Sequence, residues 1–332
     1  MQRSFIGLTR AKDGPQEAVH AYEMRCAAGV SIVVWTYGAT LVEVNLADEN
    51  GQSDNVILRL PQLADYENPL TNPSYLGATL GRFSRCVSHA TFAIEGEAQH
   101  LSRNLGAHHF HGGHRGFSHR VWSAQTEEEG GDSVLRLSHT SSNGDEGYPG
   151  QVQATVEYRL APDGELGITF LAVTDVPTIV GLANHAYWNL SGAGVIDRHR
   201  LQLNCAKYVE SDSEYIPTGR LADVTGTNLD FRMMRTLGTQ ALDNCFVLDD
   251  RRWCLRIEDP LSGRVMEVQT DQPALALHTG ESLPLRRGGI AIQTTDYPDA
   301  PNRPEFPSAV LRPGEQYRRV TRYRFGRSVC RY

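Results

Sequence analysis

The sequence predicts an all-β protein, because short apolar and β-branched runs recur along it and helical patterns are few. The clearest prediction is a hairpin over residues 151–175, in which alternate positions of 152–160 and of 166–172 are apolar. Pro162-Asp163-Gly164-Glu165 supplies turn residues between the two arms. A period of two residues is typical of half-buried strands. We therefore expect one large, mostly antiparallel β architecture of the sandwich type.

Further strands are predicted along the whole chain, at residues 31–37, 41–46, 178–183, 253–270 and 316–325. Residues 61–66 predict a short helix with Pro61 at its first position. No low-complexity linker or shift in composition divides the sequence. The whole chain, residues 1–332, is therefore expected to form a single domain.

The amino-acid composition argues against several classes of binding partner. The formal net charge is −7 and there is no block of Lys and Arg, so nucleic acid is not expected as a partner. No apolar run approaches the roughly 18 residues of a membrane helix, and the start lacks a signal-peptide pattern. The six cysteines are scattered and form no CxxC pair, which is typical of reduced thiols. These features predict a cytoplasmic protein.

One segment concentrates polar and aromatic side chains, namely Asn184-His185-Ala186-Tyr187-Trp188-Asn189-Leu190. The first interpretation is a core histidine satisfied by hydrogen bonds beside core aromatics. The second is a platform for a sugar or another carbonyl compound, in which Asn184 binds hydroxyls and His185 moves protons. The segment by itself leaves both open.

A second segment, His108-His109-Phe110-His111-Gly112-Gly113-His114, holds four imidazoles. Their spacing matches no common zinc arrangement, and no cysteine or carboxylate lies among them. We therefore predict that this loop binds no metal ion. The Gly112-Gly113 pair indicates a close backbone approach or a turn with positive φ.

Two charged residues have equally open interpretations. Arg82 could pair with a carboxylate, donate to substrate hydroxyls, or form ordinary structural ion pairs. Asp243 precedes an apolar run and could be a turn residue at the start of a strand or a ligand for hydroxyls. A Gly-x-Ser-x-Gly motif is absent, so a serine hydrolase has no candidate nucleophile.

Taken together, these segments resemble the aldose 1-epimerase (galactose mutarotase) family. The resemblance covers nearly the whole chain and rests on many short motifs in a fixed order: residues 38–40, 77–82, 110–113 with 116–117, 145–150, 184–190, 216–219, 226–227 with 230–232, 271–273, 297–302, 306–307 and 311–315. It implies a β-supersandwich fold with few short helices. It also implies that neither a metal ion nor an organic cofactor is used.

The resemblance also implies site residues. In this family a glutamate takes the proton from the anomeric hydroxyl and a histidine protonates the ring oxygen, which demands a base and an acid around one carbon. His185 occupies the position of the acid, and His111 matches a second histidine that holds the sugar. Asp243 matches a carboxylate that binds hydroxyls. We further expect Arg82, Arg85 and Asn184 to contribute to substrate binding.

Three positions depart from the family pattern. Gln293 stands where the catalytic glutamate is expected, and a glutamine side chain does not ionise near neutral pH. Arg85-Cys86 replaces an Asn-Arg pair, and Ala276 replaces a sugar-binding glutamine. Loss of a general base costs roughly 10²–10⁴ in rate. Asp296 is the nearest spare carboxylate, but strand alternation places it on the opposite face from Gln293.

Three functions therefore remain open. The first is an aldose 1-epimerase-like enzyme that acts by acid–base chemistry on a sugar or a sugar-like hemiacetal, with weak or altered mutarotase activity. The second is a repurposed isomerase, lyase or cyclase acting on a non-sugar metabolite through His185 and His111. The third is a carbohydrate-binding protein without catalysis. Each predicts a small-molecule partner, no nucleic acid or membrane, and a monomer or a homodimer.

Overall fold

Antiparallel strands make up most of the chain in the computed structural model, which describes residues 1–10, 15–47, 52–248 and 253–328. The first half contains β1 (Gln2–Leu8), β2 (Ala18–Arg25), β3 (Val30–Trp35), β4 (Thr40–Ala47), β5 (Ser53–Asn55), β6 (Thr79–Leu80), β7 (Thr91–Ile94), β8 (Glu97–His100), β9 (Ser123–Glu129), β10 (Asp132–Ser141), β11 (Val152–Leu160) and β12 (Leu166–Thr174). The second half contains β13 (Thr178–Ile179), β14 (Ala183–Asn184), β15 (Tyr187–Trp188), β16 (Arg200–Leu203), β17 (Lys207–Ser211), β18 (Pro217–Asp223), β19 (Arg235–Thr236), β20 (Asp243–Val247), β21 (Leu255–Glu258), β22 (Arg264–Thr270), β23 (Ala274–His278), β24 (Ile290–Thr295), β25 (Val310–Leu311) and β26 (Tyr317–Arg327).

Helical segments are short, as the sequence predicts. The helix α1 spans Leu63–Tyr66, and 3-10 turns cover Ser88–Ala90, Phe117–His119, Asp145–Gly147 and Ala300–Asn302. The predicted helix start was wrong by two residues: Gln62 has an extended backbone with φ −149°, so Pro61 precedes the helix instead of opening it. Among the helices of the described ranges, none has the length and apolar character needed to cross a membrane.

The strands form three large sheets. One has the order β1-β2-β3-β4-β5, a second β19-β16-β21-β22-β26-β12-β11-β10-β9, and a third β15-β24-β23-β20-β17-β18. The predicted hairpin of residues 151–175 is confirmed as β11 and β12, which pair from Val152 with Thr174 to Leu160 with Leu166. The inward positions of both arms are buried, as the alternation predicts.

The predicted strand over residues 178–183 is instead two short strands with different partners. Its beginning, β13, pairs with β25, and its end, β14, pairs with β6. Between them Gly181 makes an isolated bridge to Phe83, and its N–H donates to the carbonyl of Arg82 at 2.9 Å. The segment is buried throughout, so its apolar character correctly indicates burial but not its division between sheets.

The main apolar cluster draws on all three large sheets and on both ends of the chain. Its members run from Tyr22 near the start to Tyr323 near the end, and include Phe170 of the nine-stranded sheet and Ile292 of the six-stranded sheet. Burial of this apolar surface is the dominant favourable contribution to folding. The six-stranded sheet thus has one face in the core, which leaves its other face to carry a site.

Candidate active site

The floor of the site is the outer face of the six-stranded sheet. Along β23 and β24, Leu275 and Ile292 point into the main core, whereas Ala276, His278 and Gln293 line a pocket on the opposite face. This division follows from the two-residue period of a strand. Neighbouring strands are in register, so side chains from distant parts of the sequence stand side by side.

Two rows of side chains cross this floor. Cys245 of β20 pairs with Ala276 of β23, which pairs with Gln293 of β24. The next row along the same strands contains Asp243 and His278. Successive positions on one face of a strand are about 7 Å apart. Asp243 begins β20 and is exposed at the rim, whereas Gln293 is 2% exposed.

His185 stands at the end of β14, where the chain turns from one sheet to the next. Its backbone N–H donates to the carbonyl of Ala78 at 2.9 Å, and its carbonyl accepts from the N–H of Gly77 at 3.0 Å. The imidazole stacks on the ring of Tyr187, with centroids 5.2 Å apart, and its buried Nδ1 has no hydrogen-bond partner. Burial lowers the pKa of His185 to about 3, so the ring is neutral at pH 7.

His111 faces His185 across the pocket. The ring centroids are 5.2 Å apart and the planes are nearly perpendicular, at 82°. The Nδ1 of His111 lies against the carbonyl oxygen of Ser84 and therefore carries the proton of the neutral ring. Burial, followed by the charges of His185 and Arg85, keeps the pKa of His111 well below its usual value. Nε2 of His111 is left with a lone pair that can accept a proton.

The loop that carries His111 is fixed by glycine and by a carboxylate. Gly112 has φ +86°, and a Cβ at this position would lie 1.8 Å from the carbonyl oxygen of Gly81. The carboxylate of Glu146 accepts the backbone N–H of His114 at 3.0 Å and of Arg115 at 2.8 Å. The close approach and positive φ expected of this glycine pair are thus confirmed.

Arg85 and Gln293 form the polar end of the pocket. Nη1 of Arg85 donates to Oε1 of Gln293 at 3.3 Å. In the described part of the chain, the buried Nε of Arg85 and the buried Nε2 of Gln293 have no hydrogen-bond partner. Within the described ranges, Arg85 makes no ion pair with a carboxylate. The pocket thus contains a cation and two unused donors.

The pocket has a volume of about 180 Å³ and shares Pro73, Tyr75 and Phe110 with a neighbouring cavity of about 820 Å³. Five of the seven residues predicted for the site line it, namely Arg85, His111, His185, Asp243 and Gln293. They come from segments that are far apart in the sequence, so their convergence in one pocket is confirmed. What each of them does there stays a proposal.

The structure corrects the prediction for Arg82, which does not reach the pocket. It is 1% exposed, and its Nε donates to the hydroxyl of Ser141 at 2.9 Å. Its other nitrogens donate to the carbonyl oxygens of Pro149, Ser141 and Ser142 at 2.7–2.9 Å. With its donors committed to the protein, Arg82 holds two loops together and cannot bind a substrate.

Asn184 also differs from its prediction. Its Nδ2 donates to the carbonyl of Gly77 at 2.8 Å, and its Oδ1 accepts the backbone N–H of Ala186 at 3.0 Å. Asn184 is 4% exposed and lies beside the hydroxyl of Tyr158. The side chain therefore fixes the backbone on both sides of His185 instead of contacting the pocket.

His278 and Tyr75 are two of the lining residues that were not predicted. His278 projects from β23 two positions after Ala276, so strand alternation from that residue would have found it. Its Nδ1 accepts from the hydroxyl of Tyr187 at 3.2 Å and from the N–H of Gly280 at 3.2 Å. Tyr75 closes the pocket above His111, with ring centroids 5.1 Å apart. No local pattern in the sequence indicates Tyr75, because it comes from a loop with φ 52° at that residue.

The four histidines of the segment 108–114 point to separate partners. His109 lies between the carbonyl of Ser102 and the hydroxyl of Tyr148, at 2.7 Å from each. Nδ1 of His108 accepts from the N–H of His89, and Nε2 of His114 lies 2.9 Å from the carbonyl of Arg103. Across the described part of the chain, no group of three or more His, Cys, Asp or Glu residues is arranged to hold a metal ion.

Comparison of the sequence with known proteins identifies the family of this chain. The sequence model of aldose 1-epimerase matches residues 20–324, and the chain belongs to this family. It is 32% identical to galactose mutarotase of Rattus norvegicus over 93% of this chain and 94% of that protein. It is 30% identical to aldose 1-epimerase of Escherichia coli K12 over 91% of this chain and 94% of that protein.

Solved structures show the same architecture. A galactose 1-epimerase from Lactobacillus acidophilus superposes with a TM-score of 0.87 at 26% identity, covering 98% of this chain and 99% of that one. An aldose epimerase homologue from C. elegans superposes with a TM-score of 0.86 at 27% identity, covering 92% and 98%. The predicted galactose mutarotase-like β-supersandwich is thereby confirmed.

Proposed function

We propose that the protein opens and recloses a cyclic hemiacetal by proton transfer, as an aldose 1-epimerase-like isomerase, and that it turns over neutral glucose and galactose slowly. The observation that carries the proposal is the facing pair of His111 and His185 in a pocket of about 180 Å³. Asp243 at the rim can accept hydrogen bonds from sugar hydroxyls. The substrate is a small molecule of sugar size.

The reaction requires two coordinated proton transfers. As the bond between the anomeric carbon and the ring oxygen breaks, the ring oxygen gains a proton and the anomeric hydroxyl loses one, which leaves an open-chain aldehyde. Rotation about the adjacent carbon–carbon bond and reversal of the same steps give the other anomer. His185 in its protonated form is the donor in this proposal, and the unprotonated Nε2 of His111 is the acceptor.

Slow turnover of neutral aldoses follows from the protonation states. Gln293 cannot accept the proton, because an amide does not act as a base near neutral pH. Burial lowers the pKa of His185 to about 3, so its protonated form is scarce at pH 7. A general base or acid contributes typically 10²–10⁴ in rate, and both are compromised here for a neutral ligand.

A second candidate is an isomerase, lyase or cyclase that acts on a non-sugar metabolite through the same histidines. The observation that favours it is the trio Arg85, Ala276 and Gln293, which replaces residues that the family pattern uses for sugars. A carbohydrate-binding protein without catalysis is the third, and it would not require two facing histidines.

Polarimetry of freshly dissolved α-glucose and α-galactose tests the proposal. We expect a small acceleration over the spontaneous rate that His185→Gln reduces by about 10²-fold or to the level of buffer. His100→Gln is the matched control, because His100 lies on β8, exposed and outside the pocket. No acceleration of any sugar tested, or an unaffected His185→Gln variant, would contradict epimerase chemistry at this site.

A further inference from the structure

The charge balance of the pocket indicates what the ligand must bring. Arg85 carries a full positive charge, while burial keeps His111 and His185 neutral and Gln293 is an amide. Asp243 is a row away on the sheet and exposed to solvent. Among the described residues, Arg85 has no carboxylate partner. A partly buried cation of this kind is most stable when a bound anion neutralises it.

The hydrogen bonds of the pocket likewise indicate that the ligand supplies acceptor atoms. Nε of Arg85 and Nε2 of Gln293 are both buried donors that meet no acceptor among the described residues, and Nη1 of Arg85 donates to Oε1 of Gln293 at 3.3 Å. That bond orients the amide, so its NH₂ group is available while its oxygen is occupied. Buried donors are almost always satisfied in a functioning site, and here the missing acceptors must come from a ligand or from water.

The sheet leaves room for those acceptors. Ala276 pairs with Gln293 in register, so the neighbour of Gln293 on β23 is small. Its side chain offers no oxygen to the amide. Next to Gln293 the pocket is therefore lined by the methyl group of Ala276 and by the guanidinium of Arg85.

We propose that the substrate is a sugar acid, whose carboxylate is held by Arg85 and by the amide NH₂ of Gln293. This inference rests on the proposed function and names the substrate class for the same site. Guanidinium and carboxylate match in shape, because two N–H groups can donate to two coplanar oxygens. The sugar hydroxyls at the other end of the ligand reach Asp243.

A carboxylate fits this pocket better than a phosphate. Among the described residues that line it, Arg85 is the only arginine or lysine. A planar carboxylate also matches one guanidinium and one amide, whereas a phosphate dianion is usually neutralised by several cationic groups.

A bound carboxylate would also activate the histidines. Negative charge near an imidazole favours its protonated form, so an acidic ligand raises the pKa of His185 and of His111 toward the range where they exchange protons. A neutral sugar gives no such shift. The same feature that binds the acid would thus make it the faster substrate.

Binding to ligands that cannot react provides the test. Methyl glycosides are locked at the anomeric carbon, so isothermal titration measures affinity without catalysis. We would compare the methyl glycosides of galacturonic acid and of 3-deoxy-2-octulosonic acid, each with its own primary amide, which has nearly the same shape and no charge. At least one acid should bind about tenfold or more tightly than its amide, as expected for a charge-assisted pair of hydrogen bonds.

Substitutions at single positions test which side chains cause the preference for the acid over its amide. Arg85→Gln should remove the preference for the acid, so that the acid and its amide bind with equal affinity, and Arg85→Lys, which keeps the charge but loses the planar fork, should retain part of the preference. Gln293→Glu should abolish the preference for the acid, because the new carboxylate repels the carboxylate of the ligand. Arg318→Gln, which removes an exposed arginine of β26 outside the pocket, is the matched control and should bind as wild type.

The outcomes separate the two proposals. If neutral sugars are epimerised but neither acid is preferred over its amide, the sugar-acid inference is wrong and the proposed function stands. If an acid binds through Arg85 but no anomer of the free acid or of a neutral sugar is interconverted, the carboxylate site stands and the epimerase function falls. Tighter, Arg85-dependent binding of galactose 6-phosphate than of either acid would overturn the carboxylate in favour of a phosphate.

Discussion

The imidazoles of His111 and His185 meet at 82° with their centroids 5.2 Å apart, and no carboxylate of the described ranges holds a proton on either ring. Burial is the largest cause of the lowered pKa of both histidines, because it favours the neutral ring. Two neutral histidines at the centre of the site have consequences both for catalysis and for stability.

The first prediction concerns acid sensitivity. Burial lowers the pKa of His185 to about 3 and of His119, His139 and His199 to about 4, against 6.5 in the unfolded chain. A lowered pKa in the folded state means that stability is full above pH 6.5 and is lost as pH falls toward 4. Because each pKa unit is worth about 1.4 kcal/mol, the free energy of unfolding should fall by several kcal/mol between pH 7 and pH 4.

Urea unfolding at pH 7, 6, 5 and 4 measures this loss. Nuclear magnetic resonance of the histidine ring protons gives an independent reading: the resonance of His185 should not titrate between pH 5 and pH 8 in the folded protein, and should do so in urea. A folded-state titration of His185 near pH 6.5 would show that its ring is not buried as described.

The second prediction is that Gln293→Glu raises mutarotation of glucose and galactose by about tenfold or more, within the range of a positioned base. The change restores a carboxylate of nearly the same shape beside Arg85, whose Nη1 already lies 3.3 Å from the side-chain oxygen. Polarimetry with both proteins gives the rates. A wild type as fast as Gln293→Glu would mean that another residue is already an efficient base.

The third prediction concerns the loop of His111. Gly112→Ala should destabilise the protein by about 2 kcal/mol or more, because a backbone clash adds to the strain of positive φ. Gly96→Ala is a matched control: Gly96 has the same φ of +86°, but a Cβ there meets nothing within 4 Å, whereas at Gly112 it lies 1.8 Å from Gly81 O. Thermal unfolding measures the loss of stability in each variant. Equal losses would show that the positive φ, and not the clash with Gly81, causes the destabilisation.

The fourth prediction concerns Asp296, which directly follows β24 and is buried. Burial raises its pKa from 3.8 to about 6, and its Oδ2 has no hydrogen-bond partner among the described residues. A raised pKa means that the folded state loses stability as pH rises through 6. Asp296→Asn should therefore stabilise the protein at pH 8, by an amount on the order of 3 kcal/mol, and the gain should shrink toward pH 4.

Urea unfolding of wild type and Asp296→Asn at pH 8 and pH 4 checks the sign. The difference between the two proteins isolates Asp296 from the histidines, which are common to both. A variant that is less stable than wild type at pH 8 would indicate that the ionised carboxylate has a partner in solution, such as bound water.

The resemblance to the family supplied five residues that line the pocket, and local periodicity predicted the strands that have one face in the core, such as β11 and β12. It failed at residues 178–183, where burial on all sides gives the same apolar run whether the chain forms one strand or two. The prediction that Arg82 binds substrate was wrong, because only the fold shows that the carbonyls of Ser141, Ser142 and Pro149 surround the guanidinium. A sequence shows which side chain can donate, but not which acceptors meet it.

Side chains alternate along β24, so neighbouring residues serve the core and the pocket separately. Ile292 belongs to the main apolar cluster, whereas the next residue, Gln293, lines the pocket. An exchange of acid for amide at that position leaves every core contact of the strand in place. A lineage can therefore revise the chemistry of this site one residue at a time, without passing through an unfolded ancestor.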